Sequence, residues 1–290
     1  MYKDKHNIIT GAAKSHDLLY LSIRNSEIDK EGVSHSLLGA YYQGERHYVS
    51  DTPWDTVAMS VVHKPVEKMI IMSPNGDVLT HVNGIVEMEH IHNVDISLKG
   101  LAEISGYAYA CGMKRQVFKR ISDNTWMSMS APVPEKRSGV IGFEAISGFD
   151  ENDIYAVGWQ GEIWKYNGLE WIQKVSPTNQ ILTSVACADD GMVYICGRKG
   201  MLIKGKDDQW EILSSNDNND DFWDVHYFKG KVYVSSLSAI YEVVDDGLKM
   251  LRLEDVPGTC MHLTSADGIM WSIGIQDLLS FDGEQWQRIE

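Results

Sequence analysis

The sequence predicts an all-β protein, a seven-bladed β-propeller of four-stranded antiparallel blades, with six blades as the alternative count. Two observations carry this: a repeated unit of four short β-type runs, and two residue markers that recur with one period. The clearest unit is 143–174, FEAISGFDENDIYAVGWQGEIWKYNGLEWIQK, which divides into FEAIS, DIYAVG, EIWKY and EWIQK. These runs are rich in aromatic and β-branched residues and are parted by Gly, Asp and Asn, the pattern of short strands joined by turns. Three later stretches repeat the plan, beginning TSVACADD, WDVHYFKG and MHLTSADG.

The period can be counted. The glycine closing the second run falls at Gly112, Gly158, Gly197 and Gly274, with Ser236 in the remaining place, giving steps of 46, 39, 39 and 38 residues. The tryptophan opening the fourth run falls at Trp126, Trp171, Trp210 and Trp286, with steps of 45, 39 and 76 and Met250 near the vacant position. Both markers stretch between the third and fourth units, so 131–141, APVPEKRSGVI, reads as an inserted loop. Seven units in 290 residues average about 41 each, the size of a four-stranded propeller blade.

Taken in order, the blades are expected over 7–50, 54–90, 94–130, 143–176, 182–215, 222–254 and 260–290, together one domain, 1–290. The first reads as NIITG, DLLYLSI, LLGAYY and ERHYVS, with a polar interruption at 26–33. The second reads as WDTVAMSV, KMIIM, DVLTHV and GIVEMEH, joined at Pro74-Asn75-Gly76. Helical periodicity over 11 or more residues is absent. In the later blades the marker glycine is expected to take the positive φ of a tight turn. The pairs Asn167-Gly168, Asp246-Gly247 and Asp282-Gly283 suit hairpins between third and fourth strands. Trp171, Trp210 and Trp286 are expected to cover the next blade and bury a large aromatic area. The chain's end on an outermost strand predicts a ring closed by packing rather than strand exchange.

The repeat DIYAVG–x–x–G–x–I–W–x–Y–x–G–x–x–W resembles that of bacterial β-propeller proteins of the broad YVTN/Asp-box-like group, over 143–290. The Trp-Asp pairs Trp54-Asp55 and Trp223-Asp224 open first strands, unlike those of WD repeats, and no strict S-x-D-x-G-x-x-W box occurs. The resemblance implies a fold; such propellers share no single function.

Composition excludes several classes of function. With 26 Lys and Arg against 41 Asp and Glu, the net charge is −15 and the sequence pI about 5.0. Such a surface repels phosphate backbones, so neither nucleic acid nor an anionic membrane is an expected partner. The first ten residues, MYKDKHNIIT, lack the apolar core of a secretory signal. Cys111, Cys187, Cys196 and Cys260 follow no C-x-x-C spacing, and Cys111 and Cys196 fall at an otherwise apolar position, where they read as small core residues. A cytoplasmic protein, monomeric apart from its partner, is expected.

Enzyme motifs fail: there is no G-x-S-x-G, Walker loop, H-E-x-x-H or G-x-G-x-x-G. His90 and His92 with Glu87 and Glu89 could approach a metal, but a polar edge strand is the expected reading. Asp217, Asn219 and Asp221 alternate like a calcium loop, yet Phe222 stands where the sharp-turn glycine belongs. No catalytic residue, metal or cofactor is therefore expected. A binding face has a firmer basis, because hairpins joining second to third strands share one face of a propeller with the linkers between blades. That face is expected to collect Lys114, Arg115, Trp159, Gln160, Arg198, Lys199 and Gln276, with loop 131–141 and the acidic loop 214–221 carrying Asp217, Asp220 and Asp221. Trp159, at a turn tip, is the expected anchor. The function these features predict is non-catalytic protein binding, in its most concrete form an immunity or antitoxin protein capping a basic toxin domain. The alternatives are a carboxylate-dependent glycan hydrolase or lyase using the central channel, and an assembly scaffold.

Overall fold

A computed structural model of the chain describes residues 6–135, 139–213, 219–245 and 247–289. They form seven four-stranded antiparallel sheets, each with its strands in chain order. From innermost to outermost strand the blades run His6–Ser15 to Glu45–Thr52, Ala58–Val62 to Ile85–His90, and Leu98–Ile104 to Thr125–Ser128. The others run Phe143–Asp150 to Trp171–Lys174, Leu182–Cys187 to Gln209–Ile212, Asp224–Phe228 to Gly247–Met250, and His262–Ala266 to Trp286–Arg288. The alternative of six blades is overturned: the first unit, degenerate in sequence, is a complete blade. Its polar interruption holds the five-residue helix Ser26–Lys30, capped by the Asn25 side chain, which accepts from Glu27 N.

Seven blades make seven interfaces, and each has its own apolar cluster. The cause is the two-residue period of a strand buried on both faces. In the second strand of blade 4, Ile154 and Ala156 face blade 3, whereas Tyr155 and Val157 face blade 5. Closure obeys the same rule. Ile8, Leu19 and Leu21 of blade 1 pack on Trp271, Ile273 and Leu278 of blade 7. Hydrogen bonds cross this seam, among them Ile8 N to Ile275 O (2.8 Å) and Ala13 N to Thr264 Oγ1 (3.2 Å). Among the described residues no strand is exchanged between first and last blades.

Two expectations about the markers need correction. The repeated glycines are not in the left-handed region; Gly158, for one, is extended at φ 175°. They are required because a Cβ would strike backbone entering the same blade: 2.1 Å from Gly142 O at Gly158, 2.5 Å from Ser97 O at Gly112, and 2.0 Å from Thr259 O at Gly274. The fourth-strand tryptophans cover the preceding blade, not the next. Trp171 lies in the cluster between blades 3 and 4 and donates its indole N–H to Met129 O (2.6 Å). Trp210 meets Tyr155 of blade 4 edge-on at 5.9 Å, and Trp126 donates to Glu89 of blade 2. Hairpin glycines Gly168 and Gly283 do have positive φ, 89° and 102°. Asp246 lies outside the described residues.

Candidate functional site

The hairpins between second and third strands and the linkers between blades contact one another on one face of the ring, here the loop face. Around blades 3 and 4, three of the residues singled out from sequence converge on one linker. Lys114 N donates to Ile141 O, Trp159 N to Gly142 O, and the Gln160 side chain to Val140 O, each at 3.0 Å. Trp159 and Gln160 sit in a single 3-10 turn, with Gln160 in the left-handed region at φ 58°. Trp159 is not a bare turn tip. It is half-buried, and its indole N–H donates to Glu144 at the channel.

A second group forms between blades 5 and 6. Lys199 N donates to the Asp221 carboxylate (2.9 Å) and Gly200 N to Asp220 O (2.6 Å), while Tyr241 OH donates to the Asp220 carboxylate (3.0 Å). Arg198 and Lys199 are exposed, and among the described residues neither is ion-paired. Asp217 lies outside the described residues. Gln276 stands apart, exposed on blade 7.

Arg115 departs from expectation. It is only 7% exposed, and its guanidinium binds both carboxylate oxygens of the equally buried Glu162 on blade 4. Another N–H reaches Pro132 O (2.5 Å), and the group lies 4.6 Å from the Trp164 ring centroid. A planar fork held by a carboxylate and a carbonyl beside a ring, on a residue only 7% exposed, is turned into the protein rather than toward a partner. Arg115 is therefore removed from the exposed set. A hairpin lysine-arginine pair gives no sequence signal of which side chain turns inward; the partner, Glu162, is 47 positions away.

The innermost strands enclose a central channel of about 790 Å³. At its loop-face mouth stand Lys99, Glu144, Thr183 and Trp223, each following a buried Leu98, Phe143, Leu182 or Phe222. Trp223 is 38% exposed and was missed by sequence reasoning, which took it as the opening of a strand. Its signal lies in that alignment: the position needs no large apolar residue in the other blades. The channel carboxylates near the mouth serve the scaffold. Glu144 takes the Trp159 N–H, and Asp224 accepts from Ser184 Oγ (2.7 Å), Val225 N (2.9 Å) and Leu263 N (2.9 Å). His226 Nε2 lies 2.8 Å from Ser265 Oγ. Burial holds the His226 and His262 imidazoles below the ordinary histidine value, overriding the opposing pull of Asp224.

His90 and His92 stack edge-on at 5.2 Å, but Glu89 is committed to Arg120, and no group of metal-ligating side chains forms among the described residues. Cys111, Cys196 and Cys260 are buried, Cys187 partly so. Burial pushes all four thiols up, Cys187 and Cys260 to about 12, so none is an activated nucleophile.

Fold and site together define a β-propeller that gathers its irregular loops and two part-exposed indoles on one face. The chain is similar to the immune protein Tsi7 of Pseudomonas aeruginosa, with 41% identity over 295 residues that span 97% of this chain and 96% of that protein. It belongs to the family of that immunity protein. No family model matches the chain. Among solved structures, a catalytically inactive virginiamycin B lyase from Staphylococcus aureus with quinupristin superposes with a TM-score of 0.78 at 7% identity, covering 97% of this chain and 96% of the lyase. The Cps50 (Swd1) β-propeller domain of Myceliophteria thermophila gives 0.69 at 11% identity, covering 95% and 99%. At such identities these two likenesses speak to the fold alone.

Proposed function

We propose that the chain neutralises a bacterial toxin domain by binding it through the loop face, without catalysis and in the cytoplasm. The observation that carries this reading is the 41% identity to an immune protein along 97% of the chain. Three physical features support it. Trp159 and Trp223 place part-exposed indoles on one face, the side-chain type that most often dominates protein interfaces. A net charge of −15 would draw in a basic toxin at long range and set its approach. Glu144 and Asp224 are tied into scaffold hydrogen bonds rather than held free for acid–base work. The partner contacts are assigned to Trp159, Gln160, Lys114, Arg198, Lys199, Gln276, Asp220 and Asp221, with Trp223 added and Arg115 given an internal role.

The test pairs this chain with the protein encoded immediately upstream in its native locus. That protein should arrest growth when expressed alone and be tolerated when this chain is co-expressed. With purified proteins, protection should titrate at one chain per toxin. Protection at a small fraction of the toxin concentration would mean turnover and overturn the non-catalytic reading. No complex and no protection would overturn neutralisation by binding.

A further inference from the structure

The linker between blades 3 and 4 spans 129–142, twice the length of the linkers 91–97 and 175–181 that flank those blades. A longer linker has more conformations to lose, yet both described limbs of this one are fixed. On the outgoing limb, Ala131 N donates to Arg115 O (3.0 Å) and Arg115 Nη1 to Pro132 O (2.5 Å). On the returning limb, Val140 O and Ile141 O accept from Gln160 and Lys114. Between these anchors Pro132, Val133, Pro134 and Val140 are exposed. Every other blade interface closes without so long a linker and without Arg115.

The Arg115–Glu162 pair contributes cohesion, but apolar side chains could supply as much. Two desolvated charges hold surfaces together no better than apolar side chains of the same volume. What an apolar pair could not supply is the third bond, from the guanidinium to the Pro132 carbonyl. We infer that Arg115 is a positioning residue for partner binding. It pre-forms the two described limbs of the linker, 129–135 and 139–142, so that Val133 and Val140 meet an apolar patch on the toxin domain, an inference that rests on the function proposed above. Ordering the linker before encounter removes a conformational cost from binding.

The test uses the full chain and the protein encoded immediately upstream. In the double variant Arg115→Met/Glu162→Met the apolar contact at Trp164 survives and the carbonyl bond is lost. The variant should melt close to the wild type while amides of 129–135 and 139–142 exchange about tenfold faster, and the dissociation constant should rise by about tenfold or more. Arg115→Lys, which keeps the charge beside Glu162 but not the fork, is the second variant and should shift both readouts in the same direction. Val133→Asp should weaken binding with limb protection unchanged. Wild-type affinity in a double variant whose limbs have loosened, or limbs that stay protected, would overturn the positioning role. If Trp159→Ala, Trp223→Ala and Val133→Asp all bind normally, the loop-face reading fails and the inference falls with it. If those three bind weakly and the double variant binds normally, only the role of Arg115 is lost.

Discussion

Two arginines of one hairpin, Arg115 and Arg120, make nearly the same bond in opposite directions. Arg115 reaches forward to Glu162 of blade 4, and Arg120 reaches back to Glu89 of blade 2, each offering Nε and Nη2 to one carboxylate. Their surroundings differ. Arg120 is fully buried and also binds Asp123, which takes the Lys68 ammonium at 2.7 Å, while Trp126 donates to Glu89. All its partners lie within the sheets of blades 2 and 3 and their hairpins. Arg115 spends one donor on a linker carbonyl. The same chemistry thus serves cohesion at one end of the hairpin and loop placement at the other.

The largest expected effect tests the cohesive half. Arg120→Met strands Glu89 in the interior and should cost about 3–5 kcal/mol of unfolding free energy, read from urea denaturation. Adding Glu89→Leu should recover most of it, with toxin affinity unchanged throughout. An affinity loss in that stable double variant would erase the contrast with Arg115.

Trp171→Ala should cost about 3–4 kcal/mol by emptying the interface between blades 3 and 4. Trp159→Ala removes one hydrogen bond and a half-buried ring. It should cost about 1 kcal/mol of stability but, as an interface anchor, about 2 kcal/mol of binding. Equal stability losses would show that the two indoles share a structural role. Trp223→Ala should leave the melting temperature nearly unchanged and weaken toxin binding by about 2 kcal/mol; unchanged affinity would remove the channel mouth from the interface.

The smallest effect concerns pH. His226 and His262 titrate below the ordinary histidine value when folded because of burial. Between the folded value and about 6.5 the unfolded chain binds more protons, so stability falls as pH falls through that window. The urea midpoint should therefore drop as pH falls below about 6.5, and the drop should shrink in His226→Gln/His262→Gln. A flat wild-type profile would contradict the buried, neutral imidazoles.

The fold was legible because its markers answer to packing that recurs every blade. Gly158 and Trp171 stand where one backbone approach and one interblade gap impose the same demand at several blades, and repetition exposes such demands. Their mechanism was not legible. A glycine at a turn and a glycine pressed against a carbonyl look alike in sequence, and a tryptophan does not reveal which neighbour it covers. The loop face was legible as a set of hairpin tips, but not the inward turn of Arg115, since Glu162 comes within reach only when two hairpins of different blades are laid side by side. Trp223 was overlooked because a Trp-Asp pair reads as strand, and its exposure emerges only from comparison with Lys99, Glu144 and Thr183.

The seam between blades 1 and 7 has a kinetic consequence. Every sheet is encoded by one uninterrupted stretch of chain, so each blade can pair its strands through local contacts and form early. The bond from Ala13 to Thr264 joins residues 251 positions apart, and no shared sheet brings them together beforehand. Closing that loop comes at a cost that the other six interfaces, each between successive blades, do not carry. The ring should thus assemble as an open arc whose ends are the last to meet. Until they do, Leu19, Leu21, Trp271 and Ile273 face water, and that interval is when the chain is most exposed to aggregation.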